Sequence, residues 1–302
     1  KRVDMTATAV SGQFTDASKP ALGTLPGQGI PVFNFTAIET VGTSGMITSA
    51  DSVTESIQLP TTVNFDDANL SIEVSPSLAA SMTSGLTYLE DYPYLCMEQT
   101  VSRFLPNVIS TRALKAAGIP SPTQAGLDAQ VNSALQRIYA KQKYDGGWNW
   151  WDGELSDPQT SAYVVYGLLE AKESGYVISE TVLTNGINYL KDNLPDLRRN
   201  DSSWQYNRHA FMLYVLARAE ELGAGQTNFI FEHRASLDLY GEAYLAQAMY
   251  LLDPEDPRIS TLLSGLATAT VQSAAGAHWE EATKDYWNWN SDPGPAAIVL
   301  NT

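Results

Sequence analysis

DGGWNWWDGELSDPQTSAYVVYGLL, Asp145–Leu169, joins a tryptophan-bearing loop to a helix that is apolar nearly all round. The same plan returns in SSWQYNRHAFMLYVLARA from Ser202 and in GAHWEEATKDYWNWNSDPGPAAIVL from Gly276. The first and third copies share W-N-W and S-D-P elements. A unit of this length holds two helices and a loop, so the chain reads as a helical-hairpin repeat. Two kinds of helix alternate around these loops. Val131, Leu135 and Ile138 form one stripe, as do Leu183, Ile187, Leu190 and Leu194. SAYVVYGLLEA, HAFMLYVLA and EAYLAQAMYLL are apolar on most faces and must be buried on most faces. One-striped helices outside and all-apolar helices inside make two layers, and hairpins closing in a ring make an α/α toroid. We count about nine helices against the roughly twelve of a six-hairpin ring, which predicts a toroid truncated at its C-terminus.

Upstream the pattern changes. Residues 1–29 are rich in Gly, Ser, Thr, Ala and Pro and read as a lead-in with one strand at Met5–Val10. Residues 30–75 carry β-branched residues in partial alternation, and Leu70, Ile72 and Val74 against Ser71, Glu73 and Ser75 predict a half-buried strand. Three or four such strands are too few for a sandwich and need a partner. The expected organisation is thus a lead-in over 1–29, a partial β segment over 30–75 and a mainly α domain over 76–302. The chain opens on KRVDMTATAV and stops on PAAIVLNT inside an apolar run, so we read it as a piece of a longer protein.

A net charge of −16 disfavours nucleic acid and anionic membrane surfaces as partners. No apolar run approaches the roughly 18 residues of a membrane span, and no charged and apolar leader opens the chain. No H-E-x-x-H or other metal spacing occurs. The acidic loop of Asp145, Asn149, Asp152, Glu154 and Asp157 lacks calcium-loop spacing and reads as a helix-connecting loop with helix-start acids. The seven tryptophans are expected to wedge between helices.

The only cysteine, Cys96, stands in YPYLCMEQTVSRFLP, Tyr92–Pro106, three residues before Gln99. One thiol makes no internal disulfide. It is either an inert buried residue or a working sulfur. A thiolate can attack a glutamine side-chain amide and expel ammonia, leaving a thioester, and i to i+3 spacing brings the two side chains onto one turn. A helix following at once would lower the thiol pKa and stabilise an oxyanion, although Pro106 should kink or break that helix. Tyr92, Tyr94 and Met97 are bulky enough to keep water out.

YPYLCMEQTVSRFLPN closely resembles the thioester region of bacterial alpha-2-macroglobulins, with the pattern Y-P-Y-x-C-x-E-Q-T-x-S-R-F-L-P. The likeness extends upstream through LSIEVSPSLAASMTSGLTYLEDYPY and downstream through the Trp-loop helices. It implies a thioester domain built as an α/α toroid, preceded by part of a CUB-like β-domain. It implies that Cys96 supplies the sulfur and Gln99 the acyl carbonyl, that Glu98 is the motif acid, and that Tyr92, Tyr94 and Met97 are shielding groups. Met97 stands where vertebrate relatives have Gly. Complement proteins tune their thioester with a loop His. His209 lies in the corresponding region and is the candidate here, but N-R-H-A-F-M-L-Y reads as the start of an apolar inner helix, and no residue-by-residue match places it on that loop. The implied function is a single-use covalent trap rather than an enzyme. Protease cleavage of a bait region elsewhere in the chain exposes the bond, which acylates Lys amines of the protease. No cofactor is implied beyond the internal bond. The partners are the protease and the missing macroglobulin domains. The place is extracytoplasmic, either periplasmic, with a lipid anchor on the missing N-terminus as one form, or secreted. The rivals are an α/α-toroid enzyme of terpenoid-cyclase or carbohydrate-active type, a Cys hydrolase needing a His partner, and a scaffold that kept the motif without the bond.

Overall fold

The computed structural model describes residues 2–3, 5–18, 30–31, 40–43, 45, 47, 52, 54–61, 63, 65, 68–72, 74, 96–116, 118, 124–153, 155–199, 201–273, 276–290 and 293–302. The chain divides into two compact units, Lys1–Ser71 and Ile72–Thr302.

In the first unit β1 (Arg2–Val3) pairs antiparallel with β4 (Ile30–Pro31). β2 (Ala7–Ser11) and β3 (Phe14–Ser18) form a hairpin in register from Ala7 opposite Ser18 to Ser11 opposite Phe14. Its two-residue turn opens on Gly12 at φ +60, the first-position glycine that a type II′ turn requires. The strand expected at Met5–Val10 is therefore half of a hairpin, starting two residues later and ending one later, with every residue exposed. Further along, residues 54–60 and 68–72 form no strand, and Leu70, Ile72 and Val74 are 74%, 78% and 90% exposed. Alternation creates an apolar face, but a ladder and burial need a neighbouring strand. Among the described residues none is present. Most of IPVFNFTAIETV lies outside the described residues.

The second unit is helical. Its α-helices among the described residues are α1 (Met97–Ala116), α2 (Gln124–Lys141), α3 (Pro158–Glu173), α4 (Glu180–Asp192), α5 (Ser203–Arg218), α6 (Asn228–Glu232), α7 (Leu239–Leu252), α8 (Arg258–Thr268) and α9 (Pro293–Leu300). The odd-numbered helices neighbour one another in series, α1 on α3, α3 on α5, α5 on α7 and α7 on α9. α2 packs outside α1, α4 outside α3 and α8 outside α7. This is the predicted alternation of inner and outer helices. α3 and α5 bury most of their residues, whereas α4 buries one stripe of Leu183, Ile187 and Leu190. α2 buries Val131, Leu135 and Ile138 as the spacing demands.

Local chemistry explains the ends. Asp157 caps α3 by accepting from Thr160 N and Oγ1, both at 2.7 Å, and Pro158 occupies the first turn, where no N–H is missed. That is the physical content of the S-D-P element. Ser202 and Gln205 close a capping box on α5. Inner helices approach closely where a side chain is absent. A Cβ on Gly167 would lie 2.7 Å from Val101 Cγ1, so α3 meets α1 there through glycine.

Two features of this unit add to the sequence reading. Of the two effects expected of Pro106, a kink or a break, the break does not occur, and α1 runs through it. Val101, Phe104, Leu105 and Val108 are buried on both sides of the proline, and their packing outweighs the lost backbone bond. A small hairpin, β5 (Val271–Ser273) with β6 (Gly276–His278), interrupts the all-helical stretch just after α8, where β-branched Thr270 and Val271 follow the helix.

Candidate functional site around Cys96

Cys96 sits immediately before α1 and is 2% exposed. Its carbonyl accepts from Thr100 N at 2.9 Å and Thr100 Oγ1 at 2.8 Å, so it starts the helix ladder. Its sulfur takes the place of a capping oxygen: Gln99 N–H donates to Sγ at 3.4 Å. The next residue is tied across the fold, with Met97 N–H donating to Trp150 O at 3.0 Å. Cys96 and Gln99 are thus brought onto one turn, as their spacing predicts. Gln99 Oε1 is buried and has no hydrogen-bond partner, an uncommon condition for an amide oxygen.

Glu98 faces the sulfur. Cys96 Sγ donates to Glu98 Oε2 at 3.8 Å, and Ser102 Oγ donates to Glu98 Oε1 at 2.5 Å. Ser102 Oγ also lies 3.0 Å from Tyr163 OH. The thiol pKa is raised, first by burial, with the Glu98 charge adding and the Gln99 N–H opposing. The expected lowering by the helix N-terminus is therefore outweighed, because the sulfur is desolvated and beside an acid.

Of the residues read in the sequence as shielding groups, only Met97 is described. Tyr92 and Tyr94 lie outside the described residues. Met97 is 4% exposed and belongs to the helical core while also lining a cleft of about 250 Å³ beside Cys96. Arg137, Lys141, Lys143 and Trp150 line the same cleft. Lys141 pairs with Asp152 at 2.8 Å, which lowers the Asp152 pKa. Three aromatics meet in a wall: Trp150 and Trp289, two of the tryptophans expected to wedge between helices, and Tyr163, which the sequence reading did not single out. Trp150 meets Trp289 edge to face at 4.7 Å, and Trp289 meets Tyr163 at 5.9 Å. Trp150 and Trp289 are the last residues of the two W-N-W elements, so that shared triplet was the available signal. Trp148, the first of its triplet, is fully buried and donates Nε1–H to Ile138 O at 2.8 Å. Trp151 and Trp287 are 61% and 66% exposed and do not wedge between helices.

Trp289 is held in a left-handed conformation at φ 58. The Asp285 carboxylate anchors that loop. It accepts from Tyr240 OH at 2.5 Å, Asn207 Nδ2 at 3.1 Å and Asn288 Nδ2 at 2.7 Å, and Asn290 N–H returns to Asp285 O at 3.0 Å. Arg208 Nε donates to Asn288 Oδ1 at 3.0 Å.

His209 lies on α5, largely buried, with the Pro195 backbone as its partner. Burial lowers its pKa to about 4, and Nδ1 is without a partner. His233 Nδ1 is 2.9 Å from Phe229 O, and His278 Nε2 is 2.8 Å from Glu280. Among the described residues no His is hydrogen-bonded to Cys96, and no three His, Cys, Asp or Glu side chains group to hold a metal ion. In the acidic loop Asp145 Oδ1 accepts from Gly147 N–H and Ser156 Oγ. Glu154 is outside the described residues. No described helix is long and apolar enough to cross a membrane.

Residues 70–208 match the family model of the A-macroglobulin TED domain. The alpha-2-macroglobulin of Thermotoga maritima is 36% identical over 115 residues, 38% of this chain and 7% of that protein. A Salmonella alpha-2-macroglobulin reacted with methylamine has the same fold over 75% of this chain and 16% of its own, with a TM-score of 0.56 at 21% identity. An Escherichia coli alpha-2-macroglobulin activated by porcine elastase matches 66% of this chain and 18% of its own, with a TM-score of 0.52 at 24% identity. The chain spans a small part of each of these relatives.

Proposed function

Because residues 70–208 carry the TED region of a bacterial alpha-2-macroglobulin, we propose that this chain stores an internal thioester and spends it once to acylate an attacking protease. The protein is alpha-2-macroglobulin-like, and proteins of that family are protease inhibitors. The finer reading concerns the bond. The Cys96 S–H gives its proton to Glu98 as sulfur attacks Gln99 Cδ. The S–C bond forms, the C–N bond breaks, and the proton leaves with the nitrogen as ammonia. A Lys amine of the protease later attacks the same carbon. The N–C bond forms, the S–C bond breaks, and the amine proton returns through Glu98 to Sγ.

One observation carries this reading: a buried sulfur and a buried amide carbonyl without a hydrogen-bond partner share the first turn of α1. An unpaired buried amide oxygen costs about 1–3 kcal/mol. A thioester oxygen is a poorer acceptor and loses less by going unpaired, so the site favours the acyl product over the amide. The raised thiol pKa fits a sulfur that gives up its proton only to an aligned acceptor. Amines rather than hydroxyls are the expected nucleophiles, since His209 has its partner at Pro195 rather than at the sulfur. The Cys-hydrolase rival lacks its imidazole for the same reason. On this reading the chain needs no cofactor, acts outside the cytoplasm, and works with macroglobulin domains of its parent chain. Met97, with Tyr92 and Tyr94, shields the bond in it.

Intact mass with thiol titration tests the proposal. The natively purified chain should weigh about 17 Da less than its sequence and show no free thiol. Methylamine should then release the Cys96 thiol and appear on Gln99. A mass equal to the sequence, with Cys96 titrating from the start, would sink the reading.

A further inference from the structure

We propose that Tyr163, acting through Ser102, is the positioning residue that aims Glu98 at the Cys96 sulfur, and that it also ties this proton path to the aromatic wall. The proposal rests on the thioester reading above.

The direction of the hydrogen bonds follows from counting protons. A serine hydroxyl has one hydrogen, and Ser102 gives it to Glu98 Oε1 at 2.5 Å. Tyr163 OH, 3.0 Å from Ser102 Oγ, must therefore donate to it. The chain runs Tyr163 to Ser102 to Glu98 Oε1, which leaves Oε2 as the oxygen that faces Cys96 Sγ. Carboxylate rotation is a soft, two-fold torsion. Without Ser102 held in place, nothing in this set fixes the plane of the carboxylate so that one of its two equivalent oxygens stays on the sulfur. Burial pushes the Tyr163 phenol up to about 12, with Ser102 lowering and Glu98 raising it, so it remains a donor throughout the working range.

The Tyr163 ring does a second job. It meets Trp289, which meets Trp150, whose carbonyl takes the Met97 N–H beside Cys96. The series of contacts therefore runs from Tyr163 through the wall back to the residue next to Cys96. The hydroxyl orients the proton acceptor while the ring holds the wall, so the two roles separate in Tyr163→Phe.

The test compares the wild-type full chain with Tyr163→Phe, Ser102→Ala and Ser102→Thr. The rate of methylamine-driven thiol release is followed from about pH 6 to about pH 9. Arg137, Lys141, Lys143 and Asp152 of the cleft stay unchanged in all four. Tyr163→Phe and Ser102→Ala should slow release roughly fivefold to tenfold, the worth of one lost hydrogen bond, and should alter the shape of the pH profile. Ser102→Thr should restore both. A merely structural defect would lower the fraction of molecules carrying the bond and leave rate and profile as they were. Wild-type rates and profile in both Tyr163→Phe and Ser102→Ala overturn the proposal. If Tyr163→Phe does not fold, equal rates in Ser102→Ala and Ser102→Thr overturn it alone. A wild-type chain without the thioester overturns the proposed function, and this inference with it.

Discussion

Gly186 on α4 is the point where an outer helix bears on the loop that builds the site. A Cβ there would lie 2.8 Å from Trp148 Cζ3, 2.8 Å from Val165 Cγ2 and 3.0 Å from Trp148 Cη2. Neither neighbour can yield. Trp148 and Val165 are both fully buried. Trp148 is also tied through Nε1 to Ile138 O, through N to Ser161 Oγ at 2.8 Å, and through O to Asp157 N at 2.7 Å. Gly186→Ala gains about 1 kcal/mol of helix propensity. Overpacking of this kind costs about 1–3 kcal/mol. With two immobile groups inside 3 Å the cost lies at the upper end, and the net loss is about 2 kcal/mol. Gly126 on α2 is the control. It has nothing within 4 Å of its Cβ position, so Gly126→Ala should stabilise by about 0.5–1 kcal/mol. Urea melts followed by far-UV circular dichroism compare the two. Trp148 lies two residues from Trp150, so on the proposed function Gly186→Ala should also hasten spontaneous hydrolysis of the proposed thioester, read as free thiol appearing without amine. A Gly186→Ala protein as stable as the Gly126→Ala protein would refute the packing argument.

The remaining predictions concern two buried titratable groups. His209 has a folded pKa of about 4 against an ordinary 6.5, so the unfolded chain binds the proton more tightly. Its contribution to stability is full above about pH 6.5 and is lost as pH falls toward about 4, about 3 kcal/mol in all. His209→Gln should flatten stability in that window, as thermal melts at several pH values would reveal. Glu170, 3% exposed, takes Arg112 at 2.6 Å and Arg218 at 2.8 Å. Glu170→Gln leaves the half-exposed Glu173 as the one carboxylate paired with both guanidiniums and should cost about 3 kcal/mol by denaturant titration. Its thiol-release rate should equal wild type, since none of these partners touches Cys96.

Part of this molecule is legible in its order of residues. The inner and outer helices follow from period and stripe width, because a helix repeats every few residues whatever surrounds it. The Cys96–Gln99 pairing follows from i to i+3 spacing on one turn. The S-D-P element announces the start of α3 through its own cap. What fails to show is what depends on a distant partner. Nothing near Tyr163 distinguishes it from Tyr166. One reaches Ser102 and Trp289, and the other packs against Phe211 and Tyr214. The two W-N-W triplets are visible as a repeat, yet only the fold sets Trp150 against Trp289. Leu70, Ile72 and Val74 alternate as a strand should and remain without a ladder.

The sequence alone therefore determined the helices and the placing of Cys96 and Gln99 on one turn, since each is governed by covalent neighbours within a turn or two. The tertiary structure decided the wall around the sulfur, the aim of Glu98 and the upward shift of the thiol. Those depend on which groups remove water from Cys96, and desolvation is set by atoms brought from far along the chain.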